Sequence, residues 1–274
     1  MELKAAKYLI SAMAGTLAWA TLMGPVLAAD LPVKAPPAAA ASWSGFYAGV
    51  SIGARWGDND WQTSDVAPGL GVGIFVPTAV TGGAMDSVAA RFGGYLGYNA
   101  QVSTSWVAGV EANFGWADAS KRANPVPGMT GLYFGAPLTT LPAALVKETW
   151  DGNLRGRLGY LFAPTTLVYG TGGVARQRLE LNSVCPLGPA LTSFCVTMPY
   201  DETHRSTRIG WTVGGGVEQM IAGHWLVRAD YSYAAFSTFT QTFFTANGMA
   251  FDDRFTAHVK ARTHTATVGI AYKF

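Results

Sequence analysis

The sequence predicts an all-β protein, an eight-stranded antiparallel up-and-down transmembrane β-barrel with four long extracellular loops. Three observations lead to this fold class. Segments of about ten residues alternate between apolar and polar side chains, which is the period of a β-strand with two unlike faces. Aromatic residues bracket the apolar faces, and charged residues make up only 13% of the 274 residues, about half of what soluble domains contain. Long and short connections alternate between the segments, as they do in transmembrane barrels.

The first 29 residues are predicted to be a signal peptide that is removed from the mature protein. They combine a basic start, an apolar stretch from Tyr8 to Met23 and the small pair Ala28–Ala29 where cleavage is expected. A transmembrane anchor is the alternative, but the apolar stretch is short and ends in this cleavage-like site. Residues 30–42 follow as an extended linker rich in Pro and Ala. The barrel is therefore expected to comprise residues 43–274.

The remaining chain contains eight segments with the period of a strand. One face of each segment is uniformly apolar, whereas the other contains Gly, small residues and charges of both signs. Residues 167–181 are predicted to be a strand from their composition, but either of their faces fits the pattern. The predicted strands cover residues 46–56, 88–98, 106–116, 150–162, 167–181, 208–221, 225–233 and 265–274.

The connections between these strands alternate in length. The long ones cover residues 58–86, 118–147, 183–205 and 236–258, and the short ones cover 99–103, 163–166 and 222–224. Two uncharged runs, 66–85 and 123–146, are assigned to the long loops because their Gly and Pro residues break helices. This order places both termini in the periplasm and the long loops outside the cell. A soluble β-sandwich is the alternative fold, but it would show no such regular alternation.

The two faces of the strands assign side chains to lipid and to the barrel interior. Six tryptophans are predicted to form an aromatic girdle, namely Trp56, Trp106, Trp116, Trp150, Trp211 and Trp225. Ten charged residues are predicted to form an interior network of salt bridges, namely Arg55, Arg91, Glu111, Asp151, Arg155, Arg157, Arg208, Glu218, Arg228 and Asp230. Side chains fill the interior of an eight-stranded barrel, and charges there must pair. A narrow or gated ion path lined by arginines is the alternative.

Cysteine and histidine give few candidates for chemistry. Cys185 and Cys195 are the only cysteines, and both lie in the third long loop. Because an exported protein reaches an oxidising compartment, we expect them to form a disulfide. The four histidines, His204, His224, His258 and His264, show no metal-binding spacing. His258 and His264 lie near the outer end of the last strand, with Ser206 and Asp252 in neighbouring loops, so a hydrolase site at the rim is an alternative. We expect no catalytic, cofactor or metal site.

Six stretches in the order of the chain stand out between about Trp43 and Phe274, namely "WSGFYAGVSIGARWG", "FGGYLGYNAQ", "LRGRLGYLF", "LVYGTGGVA", "GWTVGGGVE" and "VGIAYKF". In this order and spacing they resemble the small OmpA-like outer-membrane β-barrel family, notably the abundant surface antigens of alphaproteobacteria. The resemblance implies an eight-stranded barrel that is inserted by the outer-membrane barrel assembly machinery. It also implies that Tyr272 and Phe274 are part of the signal that this machinery reads.

The resemblance implies a protein of the bacterial outer membrane with a structural, envelope-integrity and surface-interaction role. A low-conductance porin is the alternative, and a rim-site enzyme or a haem-binding surface protein is the second alternative. The expected partners are outer-membrane lipid and lipopolysaccharide, the assembly machinery, and extracellular ligands bound through the loops. The small net charge of +2 gives no reason to expect a nucleic-acid partner.

Overall fold

A computed structural model describes residues 42–66, 82–129, 142–187, 199–245 and 254–274 of the chain. The predicted signal peptide, nearly all of the predicted linker and the middle of each predicted long loop lie outside the described residues. Within those ranges no helix is long and apolar enough to cross a membrane. The strands are β1 (Gly45–Ser64), β2 (Gly82–Ala84), β3 (Ser87–Gln101), β4 (Trp106–Ala123), β5 (Ala143–Ala163), β6 (Thr166–Cys185), β7 (Tyr200–Ala222), β8 (Trp225–Phe236), β9 (Phe239–Phe243) and β10 (Phe255–Lys273).

Eight of these strands close into a ring of antiparallel neighbours. Their order is β1, β3, β4, β5, β6, β7, β8 and β10, and β10 returns to β1 over the register from Tyr47 opposite Lys273 to Ser64 opposite Thr256. The short strands β2 and β9 pair only with β1 and β10, respectively. A sheet in lipid must close in this way because no water is present to pair its free edges. The predicted eight-stranded up-and-down barrel is confirmed.

The outward face of the ring forms an apolar belt between two rows of aromatic side chains. Ile52, Leu96 and Ile270 are among the exposed side chains of the belt. Trp106 and Trp116 lie on the same face of β4, and ten residues of a tilted barrel strand span about 25 Å along the barrel axis. The belt therefore has the height of an outer-membrane barrel.

All six predicted girdle tryptophans lie on this outward face. Trp106 and Trp225 form part of the row beside the short turns, where each contacts a tyrosine ring edge-on. The other row contains Trp56, Trp116, Trp150 and Trp211. Four of the six are exposed, whereas Trp56 and Trp150 are half-buried.

The short connections lie together at the end of the ring where β1 begins and β10 ends. They comprise residues 102–105, 164–165 and 223–224, close to the predicted ranges. Gly223 has a φ of 55° in the two-residue turn between β7 and β8, a left-handed conformation that glycine adopts without steric cost. Short turns mark the periplasmic side of such barrels, so the opposite end faces the cell exterior.

At the exterior end, the strands continue where the sequence analysis predicted loops. β1 runs eight residues past Trp56, and β5, β6, β7 and β10 also enter the ranges 118–147, 183–205 and 236–258. The short strands β2 and β9 likewise lie in predicted loops. Those parts of the loop prediction are wrong, because strand pairing there continues although the lipid-facing pattern has ended.

Beyond the belt, the two faces of each strand exchange their polarity. In β10, Phe255 and Val259 are buried inside the barrel, whereas the outward Lys260 is exposed. Within the belt the same strand has outward Val268 and Ile270. Water replaces lipid around the outer part of the barrel, so its outward face must be polar and its inward face can be apolar.

The outer part of the ring divides into two four-stranded sheets. One contains β2, β1, β10 and β9, and the other contains the outer halves of β4, β5, β6 and β7. Among the described residues, no ladder joins outer β4 to β2 or outer β7 to β9. Side chains bridge both seams instead. The Thr63 hydroxyl donates to the Pro127 carbonyl at 2.6 Å, and the Glu202 carboxylate accepts from the Phe244 N–H at 2.9 Å.

An apolar core fills the space between the two sheets. The Trp61 ring stacks on Phe243 with centroids 6.5 Å apart, and Phe243 stacks on Phe255 at 5.2 Å. The other buried members are Met85, Val126, Met129, Ala144, Val146, Leu179, Leu181, Cys185, Tyr200, Phe239, Phe244, Ala257 and Val259. This outer core occupies the exterior end of the barrel among the described residues.

One predicted disulfide partner belongs to the outer core. Cys185 is fully buried at the end of β6 and is disulfide-bonded. Its predicted partner, Cys195, lies outside the described residues, so the pairing of Cys185 with Cys195 stays a prediction.

We predict that Trp61→Ala destabilises the outer half of the barrel. Truncation of a fully buried aromatic side chain costs about 3–5 kcal/mol, and Trp61 is 1% exposed at the centre of the outer core. Urea unfolding of the refolded protein in vesicles, followed by far-ultraviolet circular dichroism, measures the loss. The neighbouring outward residue gives the control variant Gln62→Ala, which should change the free energy of unfolding by less than about 0.5 kcal/mol. Equal stability of the two variants would contradict the outer core.

The barrel interior as candidate functional site

The interior of the membrane-spanning part contains a compact ionic cluster centred on Glu111. Its Oε1 accepts a hydrogen bond from Arg155 Nη2 at 2.7 Å. Its Oε2 accepts from Arg228 Nη1 and from the Tyr47 hydroxyl, the latter at 2.8 Å. The Glu111, Arg155 and Arg228 side chains are each only 1% exposed. Glu111 on β4 therefore ties β1, β5 and β8 together across the lumen.

Arg157 and Asp230 extend this inner cluster to the remaining side of the barrel. Arg157 donates to Glu218 Oε2 and to the Tyr47 hydroxyl, the latter at 2.9 Å, and its guanidinium lies 4.0 Å from the centroid of the Tyr169 ring. Asp230 accepts from Arg155 at 3.2 Å and from the Tyr169 hydroxyl at 3.0 Å. The inner cluster thus contains three carboxyl groups and three guanidinium groups, and tyrosine hydroxyls complete its hydrogen bonds.

A second cluster lies nearer the exterior and contains Arg55, Arg91, Asp151 and Glu148. Asp151 accepts two hydrogen bonds from Arg91, at 3.0 and 2.6 Å, and a third from Arg55 at 2.9 Å. Glu148 accepts from Asn59 Nδ2 at 2.7 Å and from Gln177 Nε2 at 2.6 Å, while Arg55 Nε lies 3.5 Å from its Oε2. The bidentate contact of Arg91 is the geometry that makes guanidinium–carboxylate pairs strong and directional.

A small cavity lies between the two clusters. Its volume is about 20 Å³, and its lining includes Arg91, Asp151, Arg155 and Asp230. A polar space of this size holds about one water molecule. The cavity is far too small for a solute that would pass through the barrel.

The two clusters balance their charges. Five guanidinium groups (Arg55, Arg91, Arg155, Arg157 and Arg228) face five carboxyl groups (Glu111, Glu148, Asp151, Glu218 and Asp230), and all ten side chains are at most 16% exposed. Nine of these ten residues were predicted to lie inside the barrel, and Glu148 was not. The predicted network had more arginines than carboxylates because it lacked Glu148 and included Arg208. A β-bulge between Glu148 and Asp151 shifts the register of β5. Glu148 and Asp151 therefore both face inward although they are three residues apart. Strict alternation of inward and outward residues could not predict this.

Arg208, the tenth residue of the predicted network, lies apart from both clusters. It is three residues beyond Trp211, outside the apolar belt, and shares the inward face of β7 with the outer core. Its guanidinium lies 4.1 Å from the centroid of the Phe239 ring, and burial lowers the pKa of the guanidinium. Among the described residues it has no carboxylate partner within salt-bridge distance.

Of the residues suggested for a rim hydrolase, the three that the structure describes do not all lie on the same face of the sheet. His258 faces outward on β10, where it shares hydrogen bonds with the Ser64 hydroxyl at 2.9 Å and the Thr240 hydroxyl at 3.0 Å. His264 contacts the Tyr231 hydroxyl at 2.6 Å. Ser206 lies within β7 and not in a loop, on the inward side of that strand, so that part of the prediction is wrong. Asp252 lies outside the described residues.

The described ranges also contain no group of three or more His, Cys, Asp or Glu side chains that could hold a metal ion. The ionised groups of the two interior clusters pair with one another. The arrangement therefore fills the lumen and locks the strands together.

Comparison with known proteins places the chain among outer-membrane barrels. The 31 kDa outer-membrane immunogenic protein of Brucella melitensis is 29% identical over 258 residues, which cover 90% of this chain and 93% of that protein. The 25 kDa outer-membrane immunogenic protein of Brucella ovis is 26% identical over 89% of this chain and 85% of its own. A 22 kDa outer membrane protein of Rhizobium leguminosarum is 27% identical over 75% of this chain and 70% of its own.

Two solved outer-membrane proteins align with this chain at low sequence identity. The outer membrane protein OprG of Pseudomonas aeruginosa aligns with a TM-score of 0.46 and 14% identity, covering 84% of this chain and 96% of OprG. Ail of Yersinia pestis aligns with a TM-score of 0.33 and 13% identity, covering 84% of this chain and 99% of Ail. The profile of the outer membrane protein beta-barrel domain matches residues 26–274. The chain therefore belongs to the outer membrane protein beta-barrel family and is an integral protein of the bacterial outer membrane.

Proposed function

We propose that this protein is a closed, non-catalytic barrel that supports the integrity of the outer membrane and presents an interaction surface to the cell exterior. The observation behind the proposal is that the lumen is filled at two heights. Ten paired ionic side chains occupy the membrane-spanning part, and the apolar outer core occupies the exterior mouth. A solute would have to displace both layers to pass.

The names of the relatives support the proposed interaction surface at the cell exterior. The Brucella proteins are described as immunogenic, which suits a barrel whose exterior strands reach beyond the lipid. In this chain the exterior part has its own core and a polar outward face, so it can present a rigid platform to water. The predicted extracellular ligands would bind to this platform and to the loops above it.

A deletion strain provides the direct test of the envelope role. Loss of the gene should increase sensitivity to detergent and to large antibiotics that the intact outer membrane excludes. Complementation with wild-type protein should restore resistance. Unchanged permeability of the deletion strain, in a background without related barrels, would contradict the proposal.

We predict that the wild-type protein conducts poorly in planar lipid bilayers. Any openings should be rare, small and brief, because paired side chains fill the lumen and the cavity between the two ionic clusters has a volume of about 20 Å³. A general porin inserted by the same procedure serves as the positive control. Large, steady openings of the wild-type protein would contradict the proposal of a closed barrel and would favour the alternative of a porin.

We predict that Glu111→Gln destabilises the barrel strongly. The amide keeps the shape of the carboxylate but removes its charge, which leaves Arg155 and Arg228 without a full counter-charge in the lumen. The expected cost is about 3–5 kcal/mol in the free energy of unfolding, measured by urea titration in vesicles. Glu180→Gln is the matched control. Glu180 pairs with the exposed Arg205 at 2.7 Å, and surface pairs of this kind contribute at most about 1 kcal/mol. Similar losses in both variants would show that the inner cluster does not stabilise the fold.

We also propose that Phe274 acts in assembly more than in the stability of the finished barrel. Its ring is 72% exposed, and its N–H donates to the Phe46 carbonyl at 2.8 Å, a bond that needs no aromatic side chain. Phe274→Ala should therefore lower the amount of barrel in the outer membrane, while protein refolded in vitro keeps a near wild-type Tm. Phe162→Ala removes another ring, 80% exposed beside a short turn, and should assemble normally. Equal amounts of the two variants in the outer membrane would contradict a role of Phe274 in assembly.

A further inference from the structure

Two arginines on the outward face of β6 lie at the height of the exterior aromatic row. Arg176 is exposed, and Arg178 is half-buried. The strand register places Arg176 between Gly152 of β5 and Ile209 of β7. Trp211 lies opposite Val174, one outward position below Arg176, so the pair begins where the apolar belt ends.

Neither arginine has an acidic partner among the described residues. Two other outward basic side chains of the outer barrel do have partners. Lys147 pairs with Asp118 at 3.0 Å, and Arg205 pairs with Glu180 at 2.7 Å. Glu180 is the next outward residue of β6, so the nearest carboxylate on that strand is already occupied. The neighbours of Arg176 and Arg178 across the ladders are uncharged. Two positive charges thus remain side by side at the lipid boundary.

This position selects the chemistry of a ligand. At the end of the apolar belt, acyl chains give way to headgroups, and phosphate is the anionic group that headgroups offer there. A guanidinium fork binds phosphate oxygens in a bidentate manner. Outward residues two positions apart on a strand are separated by about 6.8 Å, so both arginines can reach one phosphorylated headgroup.

We propose that Arg176 and Arg178 form a binding site for the phosphate of a phosphorylated glycolipid in the exterior leaflet. The acyl chains of that lipid would lie on the belt below, against Val174, Leu154 and Val213, which are 47–58% exposed. The site holds a lipid at one side of the barrel and leaves the interior unchanged.

The test compares variants of the full mature chain refolded in a nonionic detergent. Microscale thermophoresis would measure the affinity for bis-phosphorylated lipid A, for dephosphorylated lipid A and for inorganic phosphate at equal phosphate concentration. Loss of each arginine should weaken lipid A binding about fivefold, so Arg176→Gln combined with Arg178→Gln should weaken it about 25-fold. Arg205→Gln, on the neighbouring strand, should bind like wild type. Folding of each variant is checked by its change in gel mobility on boiling. If the double variant shows no such change, the single variant Arg176→Gln replaces it in the binding measurement.

The expected pattern is tight binding of bis-phosphorylated lipid A by the wild type, with much weaker binding of the dephosphorylated form and of inorganic phosphate. Equal binding by wild type and the double variant would overturn the proposal. So would equal binding of the two lipid forms, because the acyl chains alone would then explain it. Binding of an acidic peptide in place of lipid A would assign the two arginines to a protein partner and would also overturn it.

Discussion

The structure depends on the requirement that every backbone polar group in lipid has a partner within the protein. A sheet meets that requirement only by closing, and here β10 returns to β1 along their common length. Closure with eight strands then fixes a lumen that is just wide enough for side chains. The composition of the interior follows from this width. Large polar side chains must pair with one another in a confined space, as Arg, Glu, Asp and Tyr do here.

The inner and outer halves of the barrel solve the same packing problem with different chemistry. In lipid, the outward face must be apolar, so the polar side chains of the strands turn inward and form balanced ionic clusters. In water, the outward face must be polar, so the apolar side chains turn inward and form a core like that of a soluble sandwich. The division into two sheets occurs only in the outer half, where water can pair the free edges of the strands. Each half therefore matches its own solvent, and side chains occupy the interior of both.

Much of the membrane-spanning part could be predicted from the sequence, because lipid imposes a strict period of two on each strand. The outward tryptophans and nine of the ten paired interior charges follow from that period. The outer strands could not be predicted in this way, since Trp61, Leu179 and Phe255 are apolar on the face that is polar within the belt. Glu148 escaped prediction for a local reason, because the bulge in β5 changes which residues face inward. The contacts of Tyr47 and Tyr169 depend on which strands face each other across the lumen. The residue pattern of one strand does not contain this information.

The exchange of polarity along each strand also determines how deeply the barrel sits in the bilayer. If the barrel moved outward by one pair of residues, apolar belt side chains would enter water at the exterior boundary. If it moved inward by the same step, Arg262 and its partner Asp60, 2.9 Å apart on the outward face, would enter the hydrocarbon layer. Both displacements are unfavourable, the first through the hydrophobic effect and the second through loss of charge solvation. The barrel is thus held at one depth by its own side chains, and its exterior strands end at a constant height above the lipid.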